Sequence, residues 1–269
     1  MSRRLIISAD DFGFSRAYSL GALQAYKEGV ATVLALMPNM DAASFAVDLW
    51  RRECPEVQLT QHTNFVQGRP VSDPTDVPSL VDERGFFYRS SQWRSDGHDD
   101  GKAKGDVYPA YDDLRTETLA QAKRFRELTG AWPVHLEGHS MMTEPMLKAF
   151  RDVASELGNH CMGQEPLETN RMRVCAECEP PGGVAKAMGI LMRGSTPEDW
   201  EHDAFGILDC PYEIAVAHFH PGYVDQYVLD NTSLTLARCR DLETLCDPRV
   251  RAWIERNDIE LVDFSAVYK

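Results

Sequence analysis

Short apolar runs alternate with helix-length amphipathic stretches along most of this chain, and that alternation limits the fold more than any other feature. Residues 4–9, 31–37, 57–62, 134–137, 213–218 and 259–264 read as strands. Between them the pattern predicts a helix capped by Ser15 that runs to about Glu28 and is stopped by Gly29. Further helices are expected from about Ala42 to Arg52, near Leu114 to Leu128 with Gly130 as the stop, and from about Pro145 to Leu157. Two more follow, over Thr232 to Leu245 and over Pro248 to Arg256. Repeated strand–helix units imply an α/β fold built on a parallel sheet.

At 269 residues the chain has the length of one α/β barrel, so one domain over 1–269 is the expectation. Residues 66–111 break the rhythm. They are rich in Pro, Gly, Ser and Asp, with Phe86, Phe87, Tyr88 and Trp93 embedded, and read as a loop insertion. Such a segment is a lid or binding loop, or an insertion packed by its own aromatics. Residues 165–183 are again irregular.

A formal charge of −14 and a pI near 5.0 argue against a nucleic-acid partner, which requires a basic surface. The apolar run after Arg3-Arg4 is far shorter than a secretory signal, and no stretch approaches a membrane span. Seven cysteines, odd in number and scattered, look like reduced thiols. A cytoplasmic protein is expected.

Asp10-Asp11 stands where Leu5-Ile6-Ile7 gives way to Gly13, and His62, His139 and His220 each follow a short apolar stretch. The carboxyl ends of barrel strands converge on one rim, so these residues can meet there. An aspartate with two imidazoles suits a first-row divalent cation and leaves coordination positions open, as a catalytic site requires. Such a cation lowers the pKa of bound water and polarises a carbonyl. Two adjacent acids disfavour joint ionisation unless a cation neutralises one, which favours one ligand and one base.

Each residue also has a plain reading. Asp-Asp alone is more often a solvated turn with a helix cap, and His62 or His139 alone a hydrogen-bonded core histidine; joint placement after strands changes the odds. His135 reads as a supporting or core residue, and His98, His160 and His202 receive no role. Cys175 and Cys178, with His160 and Cys161 upstream, could build a small zinc knuckle, but only one pair has ligand spacing. Phosphate-loop and nucleophile-elbow patterns are absent.

These segments resemble the YdjC/ChbG-type carbohydrate deacetylases. Ser8-Ala9-Asp10-Asp11-Phe12-Gly13 resembles the family's first motif, Gln61-His62-Thr63-Asn64 its second, Val134 to His139 its third and His220-Pro221-Gly222-Tyr223-Val224-Asp225 its fourth. Arg238 to Leu245 resembles the Arg-x-x-Glu-Leu helix that follows. The resemblance implies a distorted (β/α) barrel of the glycoside hydrolase/deacetylase type. It implies that Asp11, His62 and His139 hold one divalent ion, magnesium or zinc, with Asp10 as general base and His220 as acid. The implied substrate is an acetylated amino sugar such as a chitooligosaccharide, and the implied assembly a homodimer. The third motif departs: the usual Asp-Ser-His-x-His reads Glu137-Gly138-His139-Ser140-Met141 here, and Thr60-Gln61 replaces the usual lead into the second.

Two rivals follow from the same residues. Asp10 and Glu137 would be the carboxylate pair of a glycoside hydrolase that needs no metal. A non-catalytic sugar-binding barrel would instead stack Trp93, Phe86 and Tyr223 on sugar faces. A non-haem iron oxygenase shares the ligand types, but the alternating pattern counts against its mostly antiparallel scaffold.

Overall fold

A computed structural model describes residues 3–94, 109–162, 175–177 and 181–267. The chain runs β1 (Arg3–Phe12), α1 (Arg16–Lys27), β2 (Val33–Leu36), α2 (Ala43–Glu53) and β3 (Gln58–Thr63), then α3 (Ser90–Arg94), α4 (Tyr111–Thr129), β4 (His135–Gly138) and α5 (Glu144–Leu157). It continues through β5 (His160–Cys161), β6 (Cys175–Glu177), α6 (Gly183–Arg193), α7 (Pro197–Glu201), β7 (Ile214–Phe219), α8 (Gln226–Asn231), α9 (Leu236–Cys246), α10 (Pro248–Arg256) and β8 (Ile259–Leu261).

Strands lie in the order β5-β4-β3-β2-β1-β7-β6, every pair is parallel, and β8 joins the lower part of β1. Helices flank this rolled sheet, giving the α/β, distorted (β/α) barrel architecture. All its strands point their carboxyl ends at one mouth. Buried Leu5, Ile7, Leu34, Leu36, Trp200 and Trp253 belong to the main core between strands and helices. At the opposite end Ile6, Val33, Ile214 and Val216 meet Phe264. His135 is buried there and stacks on Phe264 at 3.9 Å between ring centroids, so it is a core residue.

Local chemistry explains most element ends. Ser15 Oγ accepts a hydrogen bond from the Tyr18 amide at 3.1 Å and caps α1. Gly130, at φ 91°, ends α4 in the left-handed conformation. Gly29 acts differently from the expected stop: α1 ends at Lys27, and a Cβ on Gly29 would lie 2.6 Å from the Leu245 carbonyl oxygen. Glycine is needed there for close approach to the end of α9.

The helix expected from Thr232 to Leu245 begins only at Leu236, and a separate short helix precedes it. Asp225 Oδ1 accepts from the Val228 amide at 3.0 Å and starts α8, which ends at Asn231, and α9 begins only at Leu236. The intervening Thr-Ser-Leu-Thr offers side-chain alternatives to helical hydrogen bonding. The insertion after Val66 is ordered over its described part. Val77, Leu80, Val81 and Phe87 form a second core with Phe65 and Phe150, and Phe65 stacks on Phe150. Among the described residues no helix is long and apolar enough to cross a membrane.

Candidate metal centre and active site

Two adjacent acids reach one site because β1 is irregular where they sit. Ala9 pairs with Leu34 but Phe12 with Leu36, so β1 carries an extra residue between them. Asp11 takes φ 62°, a left-handed conformation that aspartate tolerates better than most residues. A regular strand would send the two side chains to opposite faces. Here both are buried, Asp11 completely.

Asp11 Oδ1 lies 2.7 Å from His139 Nδ1 and 3.2 Å from His62 Nε2. Its other oxygen, Oδ2, accepts from Arg238 Nη1 at 2.7 Å. Arg238 comes from α9, is itself buried, and donates from the same nitrogen to Tyr18 Oη at 3.1 Å. Tyr18 Oη donates to the Asp10 carbonyl at 3.0 Å. Gly222 permits this arrangement, because a Cβ there would lie 2.3 Å from the Tyr18 ring.

Asp10 has a different set of neighbours. Ser8 Oγ donates to its Oδ1 at 2.6 Å, and His218 Nδ1 lies 3.1 Å from its Oδ2. Register explains the pairing, since Ser8 sits beside His218 across β1 and β7. His218 Nδ1 is also 3.4 Å from Glu137 Oε2, and Thr60 donates to Glu137 Oε1. Glu137 in turn neighbours His62 across β3 and β4. Nothing in the spacing of His218 marked it, because the signal is strand register, which only the folded sheet reveals.

Charge follows this geometry. Burial opposes ionisation of Asp10, but His218, His62 and His220 outweigh it and hold the carboxyl well below the usual carboxylate range. Burial is likewise outweighed at Asp11, by His139 and Arg238. Glu137 moves the other way: burial and then the Asp10 charge push it up to about 7. For His62, burial would lower the pKa, yet Asp10 and Asp11 raise it. His220, just past β7, is lowered because burial wins over the same two aspartates.

The donor set fits a divalent cation. Ligand atoms of Asp11, His62 and His139 all lie within 4.8 Å of one another, and so do those of Asp10, His62 and Glu137. His62 is buried, yet neither ring nitrogen has a hydrogen-bond partner; the 3.2 Å approach to Asp11 is close but poorly directed for one. A buried imidazole with two open nitrogens, facing a carboxylate oxygen shared with a second imidazole, has the form of a metal ligand.

Other candidate residues scatter. Phe86 lines a cleft of about 530 Å³ with Asn39, Gln67 and Tyr227, under the Arg69 guanidinium at 4.0 Å. Tyr223 instead donates to Gln24 and lines a separate surface groove with Cys239 and Leu242. Trp93 lies in α3, with its side chain outside the described residues, so no aromatic trio assembles among them. Cys175 begins β6, but Cys178 and His98 lie outside the described residues. Asn64 is a loop organiser, accepting from the Val66 and Gln67 amides.

Comparison with known proteins agrees with the motifs. The family profile described as YdjC-like protein matches residues 4–256. Carbohydrate deacetylase 2 of Listeria innocua is 29% identical over 99% of both chains. Carbohydrate deacetylase of Mus musculus is 37% identical over 96% of this chain and 93% of its own. Chitooligosaccharide deacetylase of Salmonella typhimurium is 27% identical over 94% and 95%. A crystal structure from Enterococcus faecalis V583, described as a candidate cellobiose-phosphate cleavage protein, superposes over 100% of both chains with a TM-score of 0.83 at 20% identity, which establishes the shared fold. Sequence motifs, barrel and profile together make this chain a member of the YdjC-like protein family.

Proposed function

We propose that this chain is a metal-dependent hydrolase that removes the N-acetyl group from acetylated amino sugars or chitooligosaccharides. The observation that carries the proposal is the convergence of Asp11, His62 and His139 beside a second, separately held aspartate, Asp10. The names of the Listeria, mouse and Salmonella relatives support the same reaction class.

In this reading Asp11, His62 and His139 hold one divalent cation, magnesium or zinc. When bound, such a cation supplies Lewis acidity, making water more acidic and the acetyl carbonyl more electrophilic. Asp10, kept ionised by its histidine neighbours, takes the proton of the attacking water. His218 orients that carboxylate through the 3.1 Å contact. Arg238 occupies Asp11 Oδ2 and leaves Oδ1 for the cation. His220 begins neutral, since burial lowers its pKa, and relays to the leaving nitrogen the proton that Asp10 has taken from the water, which returns Asp10 to its carboxylate form.

The glycosidase alternative fits less well. His218 Nδ1 bridges the two carboxyls, 3.1 Å from Asp10 Oδ2 and 3.4 Å from Glu137 Oε2, and so takes up space that a glycosidic bond held between them would need. We also infer a homodimer, as the family resemblance implies, and a place in the cytoplasm, in keeping with the buried free thiol of Cys54. The test is acetate release from N-acetylated chitooligosaccharides, before and after chelation. Acetate that appears with metal and stops without it is the expected result; new reducing ends without acetate would refute the proposal.

A further inference from the structure

A second cavity adjoins the centre on the side away from the insertion. It measures about 220 Å³ and is walled by Ile190 and Leu191 of α6, by Phe205, and by Val216 and Phe219 of β7, with His218 and His220 also in its lining. Among the described residues β6 pairs with β7 from Ile214 to Val216, and the cavity runs along β7 from there to His220. There α6 and β7 face each other across the cavity. His218 carries the cavity's wall directly to Asp10, 3.1 Å away.

The carboxylate in this cavity is already engaged, and the open polar atom is His220 Nδ1, on the side of the centre. Asp241 Oδ1 accepts from the Ser195 amide and hydroxyl, both at 2.7 Å, and Oδ2 accepts from the His220 amide at 3.1 Å. An apolar chain entering here therefore strips no carboxylate of its partners, and it meets mainly aliphatic and aromatic carbon. A sugar ring would bury several hydroxyls against the carbon of Ile190, Leu191, Phe205, Val216 and Phe219, with His220 Nδ1 able to pair with one of them at most, at a cost for each left unpaired. The complementary occupant is hydrocarbon.

Resting on the deacylase reading above, we propose that this cavity receives the acyl group of the substrate, and that it accepts N-acyl chains longer than acetyl. Size supports this. A methyl group needs about the share of liquid volume that one water takes, roughly 30 Å³, and the cavity holds several times that amount. An enzyme confined to acetyl would gain selectivity from a pocket closed behind the methyl group, and here the space continues along α6.

The test compares N-acetyl-, N-propionyl- and N-butyryl-chitobiose as substrates of the metal-loaded enzyme, reading carboxylate release as kcat/KM. Each buried methylene is worth up to about fourfold, so propionyl and butyryl substrates are expected to match or exceed acetyl. Ala187, on α6 and also in the cavity lining, supplies the blocking variant. Ala187→Phe is expected to reverse the order within one protein preparation, a ratio independent of the folded fraction. Acetyl turnover with a tenfold or greater fall at propionyl in the wild type would overturn the proposal while leaving the deacetylase reading intact. No release from any of the three would overturn both.

Discussion

Arg238 is the buried cation that Asp11 has in the absence of a metal, and replacing it with methionine tests whether the site is built around that charge. The pair is 2.7 Å apart, with Arg238 only 2% exposed and Asp11 fully buried. Methionine keeps most of the volume but removes the one permanently charged partner of Asp11 and leaves it to His139, and breaking a buried pair of this kind typically costs about 3–5 kcal/mol. At about 2–4 °C per kcal/mol for a chain of this size, the melting temperature should fall by roughly 6–20 °C. Calorimetry on chelator-treated protein measures this, with urea unfolding as a second probe. Saturating divalent cation should recover part of the loss, because a cation neutralises Asp11 in the variant too. Adding Asp11→Asn should make the Arg238→Met loss smaller than it is in wild type, since the stranded charge is gone. A loss below about 1 kcal/mol in the metal-free protein would refute the reasoning, as would a loss unchanged by Asp11→Asn.

Three other outcomes follow from the site. Asp10→Asn should abolish acetate release while leaving metal affinity within a fewfold of wild type; near-normal turnover would remove Asp10 as the base. Glu137 titrates at about 7 folded against 4.5 in the unfolded chain. The metal-free protein should therefore lose stability as pH rises from 4.5 through 7, by roughly 3 kcal/mol in all, and Glu137→Gln should flatten that slope in urea titrations. His135, lowered by burial to about 3 from 6.5, works in the opposite window. The unfolded chain takes up a proton below 6.5 that the folded one refuses, so roughly 3 kcal/mol should be lost by pH 4.5 and regained in His135→Leu relative to its own pH 7 value.

Strand–helix alternation was legible because buried parallel strands and amphipathic helices leave different periodicities, and the strand-end positions of Asp11, His62 and His139 came with it. What escaped is what depends on pairing between distant segments. β5 is two residues long and exists through its contacts with β4. His218 faces Asp10 because Ser8 and His218 are in register, 210 positions apart in the sequence. Arg238 lay in a helix readable as a family feature, but its partner is 227 residues away. That both Asp10 and Asp11 reach the site depends on one extra residue in β1, which no local pattern announces. The start of α9 was set four residues early, because Leu234 keeps an amphipathic spacing with Leu242 and Leu245, and α8, six residues long, is too short to leave a period.

The most direct measurement is metal content and affinity. Purified protein, stripped and reloaded, should take up one divalent ion per chain by elemental analysis and calorimetric titration, and His62→Ala or His139→Ala should each weaken that uptake at least a hundredfold while the chain stays folded. Stoichiometric binding that survives both substitutions unchanged, or full acetate release from rigorously metal-free protein, would contradict the account.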